Sequence, residues 1–223
     1  ATVTKPGTFK SDGPEVATVT LHHVGSRIVI HEDGSMDRSF GDTDVDAIVV
    51  ERCLELMPYG NCDYITLENG MELFIETYTT PPTLVLMGGG HISLALSKLA
   101  TPLGFRVFVV DDRPEFANPE RFPMADGTMV VPSYDRGLEK VPVGTNTFIV
   151  IATRGHKYDD MATESAARSR AGYVGLLGSQ RKSLLIYQEL FRKGVTEERI
   201  REIHSPVGLN IGGRTPEEIA MSI

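Results

Sequence analysis

Three consecutive glycines carry the first chemical signal in this sequence. Gly88, Gly89 and Gly90 follow the apolar run TLVLM (83–87) and precede a segment with helical periodicity. A glycine turn between a strand and a helix lets a phosphate approach the backbone, and the free N–H groups at the helix N-terminus favour an anion. The turn therefore predicts an anion-binding site; the alternative is a close helix–strand crossing without a ligand.

The helix after the glycines is predicted from apolar residues that recur on one face. They are Ile92, Ala95, Leu96, Leu99 and Leu103, after which Pro102 and Gly104 end the helix. Ser93 stands where a third glycine often lies in nucleotide-binding turns.

Acidic residues follow the next apolar run. RVFVV (106–110) leads into Asp111, Asp112 and Arg113, and Asp111 lies 23 residues after Gly88. An acid at about that separation can bind the ribose of a dinucleotide, roughly 20 residues being usual. Alternatively, the two acids only end a strand and cap a turn.

Basic and polar residues follow two further predicted strands, TFIVIAT (147–153) and YVGLL (173–177). Carboxyl ends of parallel strands share one edge of a sheet, so we expect these residues to lie on one rim with the glycines. The candidate binding residues are Gly88, Gly89, Gly90, His91, Asp111, Asp112, Arg113, Arg154, His156, Ser179, Arg181 and Lys182.

Simpler interpretations exist for single members of this set. Arg154 would form an ordinary surface pair with Asp159 or Asp160, and Ser179 would be only a helix N-cap. The sequence predicts no metal site, because no Cys/His cluster has ligand spacing and no catalytic triad is apparent. Cys53 lies on the apolar stripe of a predicted helix and is interpreted as a core thiol.

Strand and helix patterns divide the chain near TYTTPPT (77–83). After it, apolar strands alternate with amphipathic helices, which predicts an α/β domain with a parallel sheet at 81–223. Before it, a smaller α+β domain at 1–80 is predicted from the strands EVATVTLHH, SRIVIHEDGS and MELFIE and the helix VDAIVVERCLELM, with apolar positions at Val45, Ile48, Val49, Cys53 and Leu56.

Charge and composition narrow the function classes. The net charge is −8, with −9 in residues 1–80 and +1 in 81–223. This argues against nucleic-acid binding but permits a small anionic ligand in the second domain. No stretch approaches a membrane span and no leader pattern opens the given residues. The two cysteines suit a reducing compartment, so we expect a cytoplasmic protein.

Four separated segments resemble the XdhC/CoxI family, the accessory proteins of xanthine dehydrogenase and related molybdenum hydroxylases. They are GGGHISLALSKLATPLGFRVFVVDDRPEFANPERFP (88–123), TRGHKYDD (153–160), YVGLLGSQRKS (173–183) and SPVGLNIGGRTPEEIAMSI (205–223). The resemblance implies a Rossmann-like second domain.

The resemblance also implies a function: binding molybdenum cofactor (molybdopterin), protecting it during terminal sulfuration and delivering it to the apo-enzyme. The implied partners are apo-xanthine dehydrogenase or a related hydroxylase, a cysteine desulfurase, and a second copy in a homodimer.

The first domain departs from the family pattern. RSFGDTD (38–44) has Asp42 and Thr43 where many members have glycines, and Leu67 stands where many have cysteine. A leucine cannot replace a thiolate as a soft metal ligand. Two alternatives to the cofactor chaperone therefore stay open: an NAD(P)-dependent oxidoreductase, and a docking module without a ligand.

Overall fold

The structure, a computed structural model, describes residues 1–5, 8–10, 18–20, 23–57, 60–78 and 81–223. Contacts within the chain divide it into two compact units, Ala1–Thr80 and Pro81–Ile223. That each unit folds as an independent domain is a prediction that limited proteolysis near 77–83 would test.

The first unit combines a three-stranded antiparallel sheet with one helix. Its strands are β1 (Thr2–Lys5), β4 (Cys62–Thr66) and β5 (Glu72–Glu76), in the order β1-β5-β4, and its helix is α1 (Thr43–Leu56). A separate hairpin pairs β2 (Thr8–Lys10) with β3 (Thr18–Thr20). The predicted strand MELFIE is confirmed as β5.

Two details of the first unit differ from the prediction. SRIVIHEDGS forms only isolated bridges at Arg27 and Ile30 instead of a strand. Of the predicted strand EVATVTLHH, Thr18–Thr20 is confirmed as β3, and residues 15–17 and 21–22 lie outside the described residues. On α1, Val45, Val49, Cys53 and Leu56 are buried as expected, but Ile48 is 47% exposed. Positions 45, 49, 53 and 56 define one face, and Ile48 lies beside that face.

The second unit is built on a six-stranded parallel sheet. Its strands are β6 (Thr83–Met87), β7 (Arg106–Asp111), β8 (Gly127–Val130), β9 (Thr147–Ile151), β10 (Tyr173–Leu176) and β11 (Ile203–His204). The order is β11-β10-β9-β6-β7-β8, and every pairing is parallel. The predicted parallel α/β sheet is confirmed.

Helices cover both faces of this sheet, which explains the continuous apolar strands. They are α2 (His91–Ala100), α3 (His156–Ala167), α4 (Gln180–Arg192), α5 (Glu197–Arg201) and α6 (Pro216–Ser222). Within β6, Val85 and Met87 join one core cluster, and Leu84 and Leu86 join the other.

Some helix boundaries were predicted wrongly. Helix α3 begins five residues before the predicted MATESAARSR segment, directly after Gly155. Helix α2 ends at Ala100, so Leu103 lies in a following 3₁₀ turn and is 73% exposed. Helix α5 and strand β11 were not predicted, because they are too short for a periodic signal.

The strand order places a topological switch point between β6 and β9. The chain leaves β6 toward β7 and β8 on one side, then returns to β9 on the other. Ligands of open α/β sheets bind in the crevice beyond the carboxyl ends of the strands at such a point.

Candidate functional site

The three positions of the turn differ in whether packing requires a glycine there. Gly88 has φ +108°, and a Cβ there would lie 2.3 Å from the carbonyl oxygen of Ala152; a Cβ on Gly89 would lie 1.9 Å from that of Phe116. Packing therefore requires glycine at both positions. A Cβ on Gly90 would meet nothing within 4 Å. Gly90 is the N-cap of α2, and no side chain caps that helix.

Asp111, the predicted ribose ligand, is fully buried and bound within the protein. One carboxylate oxygen accepts the N–H of Gly89 at 2.8 Å, and both oxygens accept side-chain N–H groups of Arg113 at 3.0 and 3.2 Å. Burial alone would raise the pKa of Asp111, but these hydrogen bonds together hold it below its ordinary value. Asp111 thus fixes the turn, and its oxygens face protein donors.

Arg121 completes the support of the turn, and sequence reasoning missed it. Its Nε donates to the carbonyl oxygen of Gly89 at 3.0 Å. The guanidinium of Arg113 stacks 3.6 Å from the ring centre of Phe116, and that of Arg121 lies 5.1 Å from the same ring. The backbone of Gly89 is therefore held at its N–H by Asp111 and at its C=O by Arg121.

An ion pair crosses the switch point. Asp112 follows β7 and Arg154 follows β9, so their contact passes over the end of β6 between them. The Nη2 of Arg154 lies 2.5 Å from the Oδ2 of Asp112 and 3.1 Å from the hydroxyl of Tyr158. The surface pairing of Arg154 with Asp159 or Asp160 that we considered is wrong, because the partner is Asp112.

A second buried carboxylate joins the other strand ends. Asp159 on α3 is fully buried, accepts the hydroxyl of Thr153 at 2.6 Å and forms an ion pair with the ammonium group of Lys182 on α4. Lys182 therefore has an internal partner. Ser179 caps α4 through the backbone N–H of Lys182.

The remaining predicted residues lie at the same edge of the sheet. His91 opens α2, and Arg181 lies in the first turn of α4; both are exposed. His156 opens α3, and its side chain lies outside what the structure describes. The rim thus combines an uncapped helix N-terminus, an arginine at the crevice and a second, exposed arginine. These groups can hold an anion with hydrogen-bonding substituents.

No three or more His, Cys, Asp or Glu side chains in the described ranges are grouped to hold a metal ion. None of the helices in those ranges is both long and apolar enough to span a membrane.

The sheet order and the glycine turn define a Rossmann-type domain. The model of the XdhC Rossmann domain matches residues 84–223, and the chain belongs to the XdhC family.

The proteins similar to the chain include two curated proteins. The uncharacterised protein YqeB of Escherichia coli is 32% identical over 89% of this chain and 39% of its own length. A probable subunit of xanthine dehydrogenase from Bacillus subtilis is 30% identical over 68% of this chain and 43% of its own length. The chain thus spans about two fifths of the length of these relatives.

A structure named as a xanthine dehydrogenase from Bacillus halodurans superposes with a TM-score of 0.57 at 20% identity, covering 88% of this chain and 72% of the other. At this identity, the likeness supports the fold alone.

Proposed function

We propose that this protein is an accessory protein for xanthine dehydrogenase or a related molybdenum hydroxylase. It binds molybdenum cofactor at the carboxyl edge of the parallel sheet and delivers it to the apo-enzyme. Membership of the XdhC family and the name of the Bacillus subtilis relative support this proposal.

The open space at Gly90 is the main observation that supports the ligand-binding part of this proposal. Packing explains Gly88 and Gly89, whereas the missing side chain of Gly90 leaves the start of α2 accessible. Molybdopterin carries a phosphate, and the uncapped N–H groups of α2 are suited to its oxygens. The residues present therefore fit the anionic part of the cofactor.

Charged side chains on the rim supply the remaining contacts. Arg154 donates hydrogen bonds across the crevice, and Arg181 is exposed at the start of α4. A charge-assisted hydrogen bond contributes about 1.5–3 kcal/mol, enough to change an affinity by about tenfold or more. Asp111 and Lys182 act indirectly in this proposal, because they hold the strand ends in place.

The alternative oxidoreductase is not favoured. Its main support was Asp111 as a ribose ligand, but the oxygens of Asp111 already bind Gly89 and Arg113.

The proposal also includes the partners and the location of the protein. The partners are the apo-hydroxylase, a cysteine desulfurase during sulfuration, and a second copy of the chain, and the location is the cytoplasm. The free thiols of Cys53 and Cys62 are compatible with a reducing compartment.

A binding panel tests the proposal. We expect molybdenum cofactor to raise the melting temperature, whereas NAD and NADP leave it unchanged. Arg154→Ala, His156→Ala and Arg181→Ala should each weaken cofactor binding, with Arg154→Ala losing about tenfold. Activation of apo-hydroxylase by the loaded protein tests delivery. Stabilisation by NAD or NADP and not by the cofactor would overturn the proposal in favour of the oxidoreductase.

A further inference from the structure

A buried carboxylate oxygen without a hydrogen-bond donor lies beside the crevice. The side chain of Asp112 is only 10% exposed, and its Oδ2 accepts the guanidinium of Arg154. Its Oδ1 is buried, and no side chain or backbone group among the described residues donates to it. The nearest cation is the Nε of Arg113 at 3.7 Å, beyond hydrogen-bond distance.

The position of this oxygen contrasts with that of the adjacent Asp111. Asp111 ends β7 and Asp112 follows it, but Asp111 uses both oxygens on Gly89 and Arg113. A buried acceptor left unpaired lowers the stability of a protein, and more so when it is charged. Such an atom indicates a functional role or a hydrogen-bond partner from outside the chain.

A second polar atom without a partner lies close by. The hydroxyl of Tyr134 is buried and has no partner in good hydrogen-bond geometry among the described residues, although the backbone of Asp112 lies close enough to act on it. Burial first, then the charges of Asp111 and Asp112, raise the pKa of Tyr134 above its ordinary 10.0, so the phenol stays protonated. Tyr134 belongs to the buried core, and the charges of both acids act on it, so its hydroxyl lies in the neighbourhood of Asp111 and Asp112.

An ionised carboxylate accepts hydrogen bonds and donates none. Its two oxygens offer about four acceptor positions, of which Arg154 uses one. The matching ligand group presents two adjacent N–H donors in one plane, as an arginine fork does. The 2-amino-4-oxopyrimidine edge shared by pterins and guanine has this arrangement.

We propose that Asp112 binds the ring N–H and amino group of a 2-amino-4-oxopyrimidine ligand, while the glycine turn binds its phosphate. This inference rests on the proposed function, because molybdopterin contains such a ring; a guanine nucleotide shares the chemistry. Asp112 then sets specificity for the ring, and Gly90 leaves room for the anion.

Changing the ligand tests the proposed role of Asp112 without changing the protein. Lumazine and XMP carry an oxygen in place of the 2-amino group of pterin and GMP, so each removes one donor. The full chain should bind pterin at least about tenfold more tightly than lumazine if the ligand is a pterin. If the ligand is a guanine nucleotide, GMP should exceed XMP by the same factor. Pterin fluorescence and calorimetry measure the two pairs.

Changing the protein completes the test. Asp112→Asn should lose the discrimination within the responding pair, because its amide N–H groups face the donors of the ligand. Glu115→Gln, an exposed acid in the same loop, is the matched control and should keep it. Equal affinities within both pairs for the unaltered chain, no binding of any of the four, or discrimination retained in Asp112→Asn would overturn the inference.

The failure of this inference is distinguishable from the failure of the proposed function. Molybdenum cofactor bound equally by the unaltered chain and Asp112→Asn would remove the role of Asp112 and leave the function standing. Discrimination between GMP and XMP without cofactor binding would support the role of Asp112 and remove the proposed function.

Discussion

The two halves of the carboxyl edge each contain a fully buried carboxylate, but the two are held differently. In the glycine half, formed by Gly88–Gly90 and Asp111–Arg113, Asp111 accepts a backbone N–H and the groups of Arg113. In the lysine half, formed by 153–159 and 178–182, Asp159 accepts the hydroxyl of Thr153 and the ammonium of Lys182. The first carboxylate orients a peptide, and the second joins a strand end to two helices.

The difference separates supporting residues from candidate ligand-binding residues. Sequence reasoning placed Asp111 and Lys182 among the binding residues, yet both have internal ionic partners. Their neighbours in the chain differ from them: Arg181 beside Lys182 is exposed, and Asp112 beside Asp111 keeps one oxygen without a hydrogen-bond donor among the described residues. A charged residue at a strand end is thus a poor guide to function until its partners are known.

The largest expected effect on stability lies in the lysine half. Lys182→Met leaves the buried Asp159 without its cation and should lower the free energy of unfolding by about 3–5 kcal/mol. Adding Asp159→Asn should recover part of that loss. The matched control is Lys157→Met, which removes an exposed lysine from α3. Equal urea midpoints for Lys182→Met and Lys157→Met would contradict the structural role of the pair.

A smaller effect is expected in the glycine half. Gly89→Ala places a Cβ 1.9 Å from the carbonyl oxygen of Phe116, so the backbone must shift at a cost of about 2–3 kcal/mol. Gly90→Ala meets no atom within 4 Å and should cost under about 1 kcal/mol, the difference between glycine and alanine at an N-cap. Similar melting temperatures for the two variants would show that packing does not distinguish these glycines.

The pH dependence of stability sharpens the comparison further. The pKa of Asp111 is lower in the folded protein than its ordinary value of 3.8, so on acidification the unfolded chain binds the proton first. Its contribution is therefore complete above pH 3.8 and is lost as the pH falls through the folded pKa. Asp111→Asn should show a smaller loss of stability in that range. If the stability of the unaltered chain and that of Asp111→Asn fell in parallel with pH, this role of Asp111 would be contradicted.

Local patterns were sufficient for much of the second unit. Thr215 and Glu218 form a capping box at the start of α6, which a threonine followed three residues later by a glutamate indicates from sequence alone. Strand β6 has the bounds of its apolar run, and Gly88–Gly90 separate it from α2. Each of these features depends on residues within a few positions of one another.

Contacts between distant residues could not be predicted in this way. Arg121 reaches the carbonyl of Gly89 across 32 residues, and Arg154 reaches Asp112 across 42. Neither pairing leaves a periodic signal, because each depends on the order of the strands. Ile48 shows the same limit within a helix, since the tertiary contacts of α1 decide which face is buried.

In the proposed function, Gly90 keeps the rim open for the molybdenum cofactor. The most direct test of this claim is the affinity of the cofactor for Gly90→Val. Gly144→Val is the matched control, because a Cβ at Gly144 also meets nothing within 4 Å and that glycine precedes β9 at the opposite end of the strand. We expect Gly90→Val to fold with a nearly unchanged melting temperature and to lose at least about tenfold in cofactor affinity, while Gly144→Val binds normally. A folded Gly90→Val protein that binds the cofactor as tightly as the unaltered chain would contradict the claim.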